Sequence, residues 1–281
     1  MVKYLYFSIY TKIRIKLLIG SMAIITFMSD FGYSDHYIAA VKAKLLILDP
    51  SLQVIDISHH IEHFNISHGS YVLGAVFRDF PAGTVHMASV NTFSYYKEAF
   101  IALELENHFF VGADNGLFGM LSDQEPSLTV KIESKNYISS SFPAKDVFAP
   151  VAAKIATGTP LTELGVPYVD YKRMIGRKIR ATKKQISGNI VRVDHYGNLI
   201  TNIGKNVFDI LSKNKKFNIV FGRESIEQVY RDYNNAEDGD IFAIFNSSGF
   251  LEIGINKGNA SELLGLNFDS PVFINFMENS E

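Results

Sequence analysis

Cysteine is absent from all 281 residues, which excludes disulfides, thiolate metal sites and a cysteine nucleophile. Its absence accords with a reducing cytoplasm, the expected location. Charge of one sign is lacking too: 27 basic side chains face 29 acidic ones, for a net charge of -2. No nucleic-acid or anionic-membrane partner is expected from that balance. There is no Walker A sequence, no GxGxxG and no GxSxG elbow, so the commonest phosphate-cradle and serine-hydrolase signatures are missing. Repeats and low-complexity segments are missing as well. No uninterrupted apolar run reaches the roughly 20 residues of a spanning helix.

What is present is a core-forming composition: hydrophobic residues make up 47% and charged residues 20%, enough for one large or two ordinary domains. Residues 1–22 combine apolar side chains with Lys3, Lys12, Arg14 and Lys16, fitting neither a signal peptide nor a membrane span. They read as an upstream extension or a misassigned start, with a basic amphipathic anchor as the alternative.

From 23 to 182 short apolar runs alternate with helix-like segments. "LQVIDISH" (52–59), "TVHMASV" (84–90), "AFIALEL" (99–105) and "HFFVGAD" (108–114) read as strands. "HGSYVLGAVFRDF" (68–80) and "DVFAPVAAKIATG" (146–158) read as helices, the second ending on Gly158. The alternation predicts an α/β domain, a Rossmann-like layer with a largely parallel sheet. After a polar stretch near 178–189 come short strands divided by turns, so 187–281 is expected to form a smaller all-β, barrel-like domain.

Several polar clusters sit at strand ends. In "IITFMSDFG" Asp30 follows an apolar run, and Asp35 could cap the helix beyond it. Asp30 reads either as a turn residue, which the local pattern favours, or as a carboxylate at the carboxyl end of a strand, where α/β sheets bind ligands and ribose hydroxyls. Asp114 and Asn115 in "GADNGLFG" form a tight turn or line a nucleotide pocket. "VRVDHYGNLITNI" (191–203) gathers Asp194, Tyr196 and Asn198 around a Tyr-Gly turn, either a plain hairpin or an anchor for a polar zwitterion beneath an aromatic ring. Ser247 and Ser248 in "FNSSGF" read either as a hairpin turn or as hydroxyls and backbone amides that contact an adenine edge or a carboxylate. His59, His60, His63 and His68 crowd ten residues, but without HExxH or any cysteine, so no metal site is expected.

Taken in order, "ITFMSDFG", "VIDISHHIEHFNISHGSYVL", "FPAGTVHMASV", "DNGLFG", "DVFAPVAAKI", "VDHYGNLITN" and "NSSGFLEIGINKGNASELLG" resemble the S-adenosylmethionine hydroxide adenosyltransferase family, relatives of the fluorinases and chlorinases. The resemblance implies S-adenosylmethionine as substrate or ligand, with no other cofactor, and a homotrimer whose sites lie between subunits. By motif match, Asp30 would bind the ribose hydroxyls, Asp194 and Asn198 the methionine part and ribose surroundings, and Tyr196 would pack near the adenine. Ser247 and Ser248 would contact the adenine or the amino acid, and Phe64, Asp114, Asn115 and Phe142 complete the expected ligand-binding set.

The chain departs from that family where water is positioned. The family's D-P-G-V-G-T-x-R loop is here "NTFSYYKE", with Asn91 at the Asp, Glu98 at the Arg and Lys97 beside it. Its H-G-R-D is here "PAKD", with Pro143 at the His and Ala144 at the Gly. The resemblance therefore implies an adenosyl-transferring enzyme, most simply one hydrolysing S-adenosylmethionine to adenosine and methionine by attack at ribose C5′, with weakened chemistry. The alternative is a non-catalytic binder that kept the pocket and lost the nucleophile.

Overall fold

In the computed structural model the described residues are 23–92, 99–133, 140–174 and 176–277. They divide into two units, Met1–Met174 and Ile175–Glu281.

The first unit opens on β1 (Ile24–Ser29), α1 (Tyr37–Leu48), β2 (Gln53–Ser58), α2 (Ile66–Val76) and β3 (Val85–Ser89). It continues through β4 (Phe100–Leu105), β5 (His108–Ala113), β6 (Leu128–Ile132), a π-helical turn (Ala144–Phe148), α3 (Ala149–Ala156) and β7 (Gly165–Pro167). The strands form one sheet in the order β2-β1-β3-β5-β4-β6-β7. Pairing is parallel from β2 through β5, as the strand–helix alternation predicts, and antiparallel beyond. The change of sense comes from the link between β4 and β5. Glu106 and Asn107 both adopt positive φ, which closes a two-residue hairpin where a parallel crossover would need a dozen residues or more.

Both faces of this sheet are covered, which explains strands that are apolar at consecutive positions. Ile25, Phe27, Val85 and Met87 face Val41 and Leu45 of α1 and Ala152 of α3. Met28, Ala88, Ile101 and Phe110 face Leu73 of α2 and Phe77 just after it. Helix α1 starts after His36, which makes no side-chain cap, so the cap expected from Asp35 is not formed. Gly158 does sit just past α3 in a left-handed conformation, the role its position predicted.

The second unit contains β8 (Arg180–Ala181), β9 (Gln185–Val193), β10 (Leu199–Gly204), α4 (Lys205–Ser212), β11 (Lys216–Phe221) and β12 (Glu224–Ile226). It ends with β13 (Ile241–Phe245), β14 (Phe250–Ile255), α5 (Ala260–Leu264) and β15 (Pro271–Met277). All its pairings are antiparallel, in the order β12-β11-β15-β9-β10-β14-β13, with β8 beside β9. The terminal strands β12 and β13 approach each other, so the sheet curls into a nearly closed barrel around Ile190, Leu199, Ile219, Leu251, Ile253 and Ile274. Among the described residues no helix is long and apolar enough to cross a membrane.

Candidate functional site

Strand β1 leads outward to β2 on one side, and the chain then returns across it to β3 on the other. That reversal makes the carboxyl ends of β1 and β3 a topological switch point, the place where open α/β sheets leave a crevice. Asp30 follows β1 directly, and its backbone N–H donates to the Ser89 carbonyl at the end of β3. Its side chain is held just as firmly: Oδ2 accepts the backbone N–H of Phe64 and of Asn91, each at 3.0 Å.

Both donors are non-glycine residues in the left-handed region, Phe64 at φ 62° and Asn91 at φ 47°. Such backbones cost about 1–3 kcal/mol each and persist where the surroundings enforce them. Here two of them converge on one carboxylate oxygen. Among the described residues Oδ1 of Asp30 accepts no hydrogen bond, so one oxygen is fixed and the other stays available.

Asp30 lines a cavity of about 280 Å³ together with Tyr37, Phe64, Asn91, Phe142 and Pro143. Phe142 meets Phe31 and Tyr37 at ring-centroid distances of 5.8 and 5.5 Å, giving the cavity a rigid aromatic wall. Ala144 also lines it, as do Ser89 and Thr92, whose hydroxyls lie 2.8 Å apart. The structure thus brings together Asp30, Phe64, Asn91, Phe142, Pro143 and Ala144 of the sequence-derived set. Lys97 and Glu98 lie outside the described residues.

Asp114 and Asn115 are placed differently. Both are buried and neither lines the cavity. The Asp114 carboxylate accepts the Lys172 backbone N–H at 2.7 Å and the Tyr168 hydroxyl at 3.2 Å. Asn115 donates to the Val90 and Asn91 carbonyls and accepts the Leu117 N–H, so it secures the backbone that carries Asn91.

The second unit has its own cavity, about 650 Å³, lined by Asp194, Tyr196, Asn198, Tyr233, Phe242 and the 255–259 turn. Asp194 organises its rim. Its carboxylate accepts the N–H groups of Tyr196 and Asn198 at 2.8 Å and the Asn198 side-chain amide at 3.1 Å. The Tyr196 ring is left 76% exposed, free to cover a planar ligand. Ser247 and Ser248 occupy the turn between β13 and β14, off the cavity lining, and the Ser248 N–H donates to Asn246.

Sequence reasoning missed Glu252. It is buried on β14 and accepts the Tyr233 hydroxyl at 2.9 Å and the Asn246 amide at 3.1 Å, which ties the cavity lining to the serine turn. Burial pushes its carboxyl above the usual range, against the pull of those hydrogen bonds. A lone acidic residue within the apolar run "FLEIGI" was the available signal.

The histidines do not gather. His59 is fully buried and reaches Ser29, whereas His63 lines the first cavity. Among the described residues no three His, Cys, Asp or Glu side chains are arranged to hold a metal ion.

Comparison with known proteins accounts for most of the chain. Residues 25–165 match the SAM hydroxide adenosyltransferase N-terminal domain and residues 188–273 the C-terminal domain of the same family. The chain is 32% identical over 257 residues to the (R)-S-adenosyl-L-methionine hydrolase of Methanocaldococcus jannaschii, covering 87% of this chain and 93% of that protein. A fluorinase of an Actinoplanes species is 26% identical over 64% of this chain and 71% of its own length. Among solved structures, an uncharacterized conserved protein from Thermotoga maritima superposes with a TM-score of 0.82 at 30% identity, over 89% of this chain and 99% of that one. With both domain models matched in order and a hydrolase relative aligned along nearly its whole length, the chain belongs to the S-adenosylmethionine hydroxide adenosyltransferase family.

Proposed function

We propose that this protein is an adenosyl-transferring enzyme that hydrolyses S-adenosylmethionine to adenosine and methionine. The observation that carries the reading is Asp30: a carboxylate at the switch point, with Oδ2 fixed by two left-handed backbone N–H groups and Oδ1 unengaged in an aromatic-walled cavity. That oxygen suits a ribose hydroxyl. Tyr37, Phe64 and Phe142 offer apolar cover for the sugar and base, and in the second unit Asp194, Asn198 and Tyr196 suit the amino-acid end and a stacked ring.

The reaction asks little acid–base help of the protein. A sulfonium is a good leaving group, so a water aligned with the C5′–S bond in this aromatic-walled cavity needs orientation more than deprotonation. Asn91 and the Ser89–Thr92 hydroxyl pair can orient a water without taking its proton. With Pro143 and Ala144 replacing the family's His and Gly, turnover is slower than where a charged group does this work. Incubation with S-adenosylmethionine, followed by chromatography of adenosine, tests the reading; no product above a buffer blank, with or without halide, rejects it.

The neutral character of Asn91, Pro143 and Ala144 favours a second reading, a binder without turnover. Calorimetric binding of S-adenosylmethionine in the absence of product supports that one instead. Family membership also leads us to infer a homotrimer with sites between subunits, located in the cytoplasm; light scattering showing a monomer at working concentration overturns the trimer.

A further inference from the structure

Beneath Asp30 lies a chain of polar groups that the reaction does not use. Lys42 Nζ lies 2.6 Å from Asp56 Oδ2, Asp56 Oδ1 lies 3.2 Å from His59 Nε2, and His59 Nδ1 lies 2.7 Å from Ser29 Oγ. Lys42 and Asp56 are partly exposed, whereas His59 and Ser29 are completely buried. Among the described residues neither Asp56 Oδ1 nor His59 Nε2 makes a hydrogen bond of good geometry, and the 3.2 Å approach between them is an electrostatic contact.

The direction of each proton follows from the inventory of donors. A carboxylate can only accept, so the imidazole presents Nε2–H to Asp56 and keeps a lone pair on Nδ1. Ser29 must then donate its hydroxyl proton to Nδ1, which turns its own lone pairs toward the Phe31 N–H, 3.4 Å away. The backbone of His59 works on the same turn from its other end, its carbonyl accepting the Gly32 N–H at 2.9 Å. Residue 59 thus holds the chain on both sides of Asp30 and Phe31. Phe27 at 4.6 Å and Tyr33 at 5.3 Å pack edge-on to the imidazole and restrict its rotation.

The arrangement resembles a Ser-His-Asp triad but is wired in reverse. In a nucleophilic triad Nε2 faces the serine and Nδ1 the carboxylate. Here Nδ1 faces a serine with no exposed surface and no place in the cavity lining. We propose that His59, oriented by Asp56 and Lys42 and acting through Ser29, is a positioning residue that sets the carboxylate of Asp30. The importance of that placement for the ligand rests on the function proposed above.

The test uses two conservative variants that separate the ends of the imidazole. In His59→Asn the carboxamide oxygen stands near the place of Nδ1 and can still accept from Ser29. In His59→Gln the amide reaches toward Asp56 and leaves Ser29 without an acceptor. Ser29→Ala removes the donor itself. The first readout is amide hydrogen exchange of Phe64 and Asn91, whose N–H groups are held by Asp30; it needs no ligand. Protection at these two amides should fall about tenfold in His59→Gln and Ser29→Ala, roughly the worth of one hydrogen bond, and stay within about threefold in His59→Asn. S-adenosylmethionine affinity, the second readout, should follow the same order. Nitrogen-15 NMR of the unmodified protein should show the neutral Nε2–H tautomer of His59.

Equal loss of amide protection in all three variants, no loss in any, or the opposite tautomer overturns the proposal. If protection follows the expected order but neither the unmodified protein nor any variant binds S-adenosylmethionine, the positioning role stands and the ligand reading fails.

Discussion

Asp30 gives one carboxylate oxygen to the fold and keeps the other unengaged, so replacing it by Ala and by Asn should separate stability from binding. Asp30→Ala orphans two N–H groups on residues already in left-handed conformations, and leaving such donors without partners costs about 1–3 kcal/mol each where they are desolvated. Urea unfolding should show that loss, and calorimetry should show no adenosine binding. Asp30→Asn keeps an oxygen for those donors but replaces the unengaged acceptor by an NH2 group. Stability should stay within about 1 kcal/mol while affinity falls at least about tenfold, as expected for losing a charge-assisted hydrogen bond. Asp30→Asn binding adenosine as tightly as the unmodified protein excludes Asp30 as the ribose contact.

At the scale of elements, the β9–β10 hairpin shows what the sequence could and could not convey. Its Tyr-Gly turn reads as either a plain hairpin or a ligand anchor, and the structure contains the materials of both: Asp194 holds the turn while Tyr196 and Asn198 line a cavity. Gly197 is required there on two counts. Its φ is +85°, and a Cβ would overlap the carboxamide of Asn259. Gly197→Ala should therefore cost about 2–4 kcal/mol, combining backbone strain with the displaced Asn259. Urea unfolding should register it, and hydrogen exchange in the first unit should not change; an unchanged midpoint contradicts the argument.

The strands around Val85, Ile101 and Val111 were legible because burial on both sheet faces demands consecutive apolar residues, and Gly158 was legible because few residues tolerate its conformation. The antiparallel turn at Glu106 and Asn107 was not, since Asn107 favours positive φ but Glu106 does not, and the pair lacks the glycine that usually marks such a hairpin. Glu252 and the Ser29–His59 pair escaped for another reason: Tyr233 lies 19 residues from Glu252 and His59 lies 30 from Ser29, and only the folded chain brings them together.

Across the whole molecule the buried ionisable groups divide unevenly between the two units, and acid should expose the difference. In the first unit Thr26 Oγ1, His86 and His108 form a buried line at 2.8 and 3.2 Å between β1, β3 and β5. Burial, reinforced by the charge His108 would carry, pushes the His86 imidazole down from 6.5 to about 3. Burial lowers His59 and His108 as well. Below pH 6.5 the unfolded chain takes up a proton that folded His86 refuses until about pH 3, so stability present above the first value is lost progressively toward the second. From His86 alone the loss at pH 5 is about 2 kcal/mol, at roughly 1.4 kcal/mol per pH unit. In the second unit Glu252 acts with the opposite sign. Its raised carboxyl binds a proton more readily when folded than unfolded, so lowering the pH relieves the cost of burying its charge. Hydrogen exchange compared at pH 7 and pH 5, corrected for intrinsic rates, should therefore show protection falling in β1, β3 and β5 while β10 and β14 hold or gain. Replacing His86 by Gln should flatten the response of the first unit. Equal loss in both units, or a first unit indifferent to pH, contradicts the assignment of acid sensitivity to these histidines.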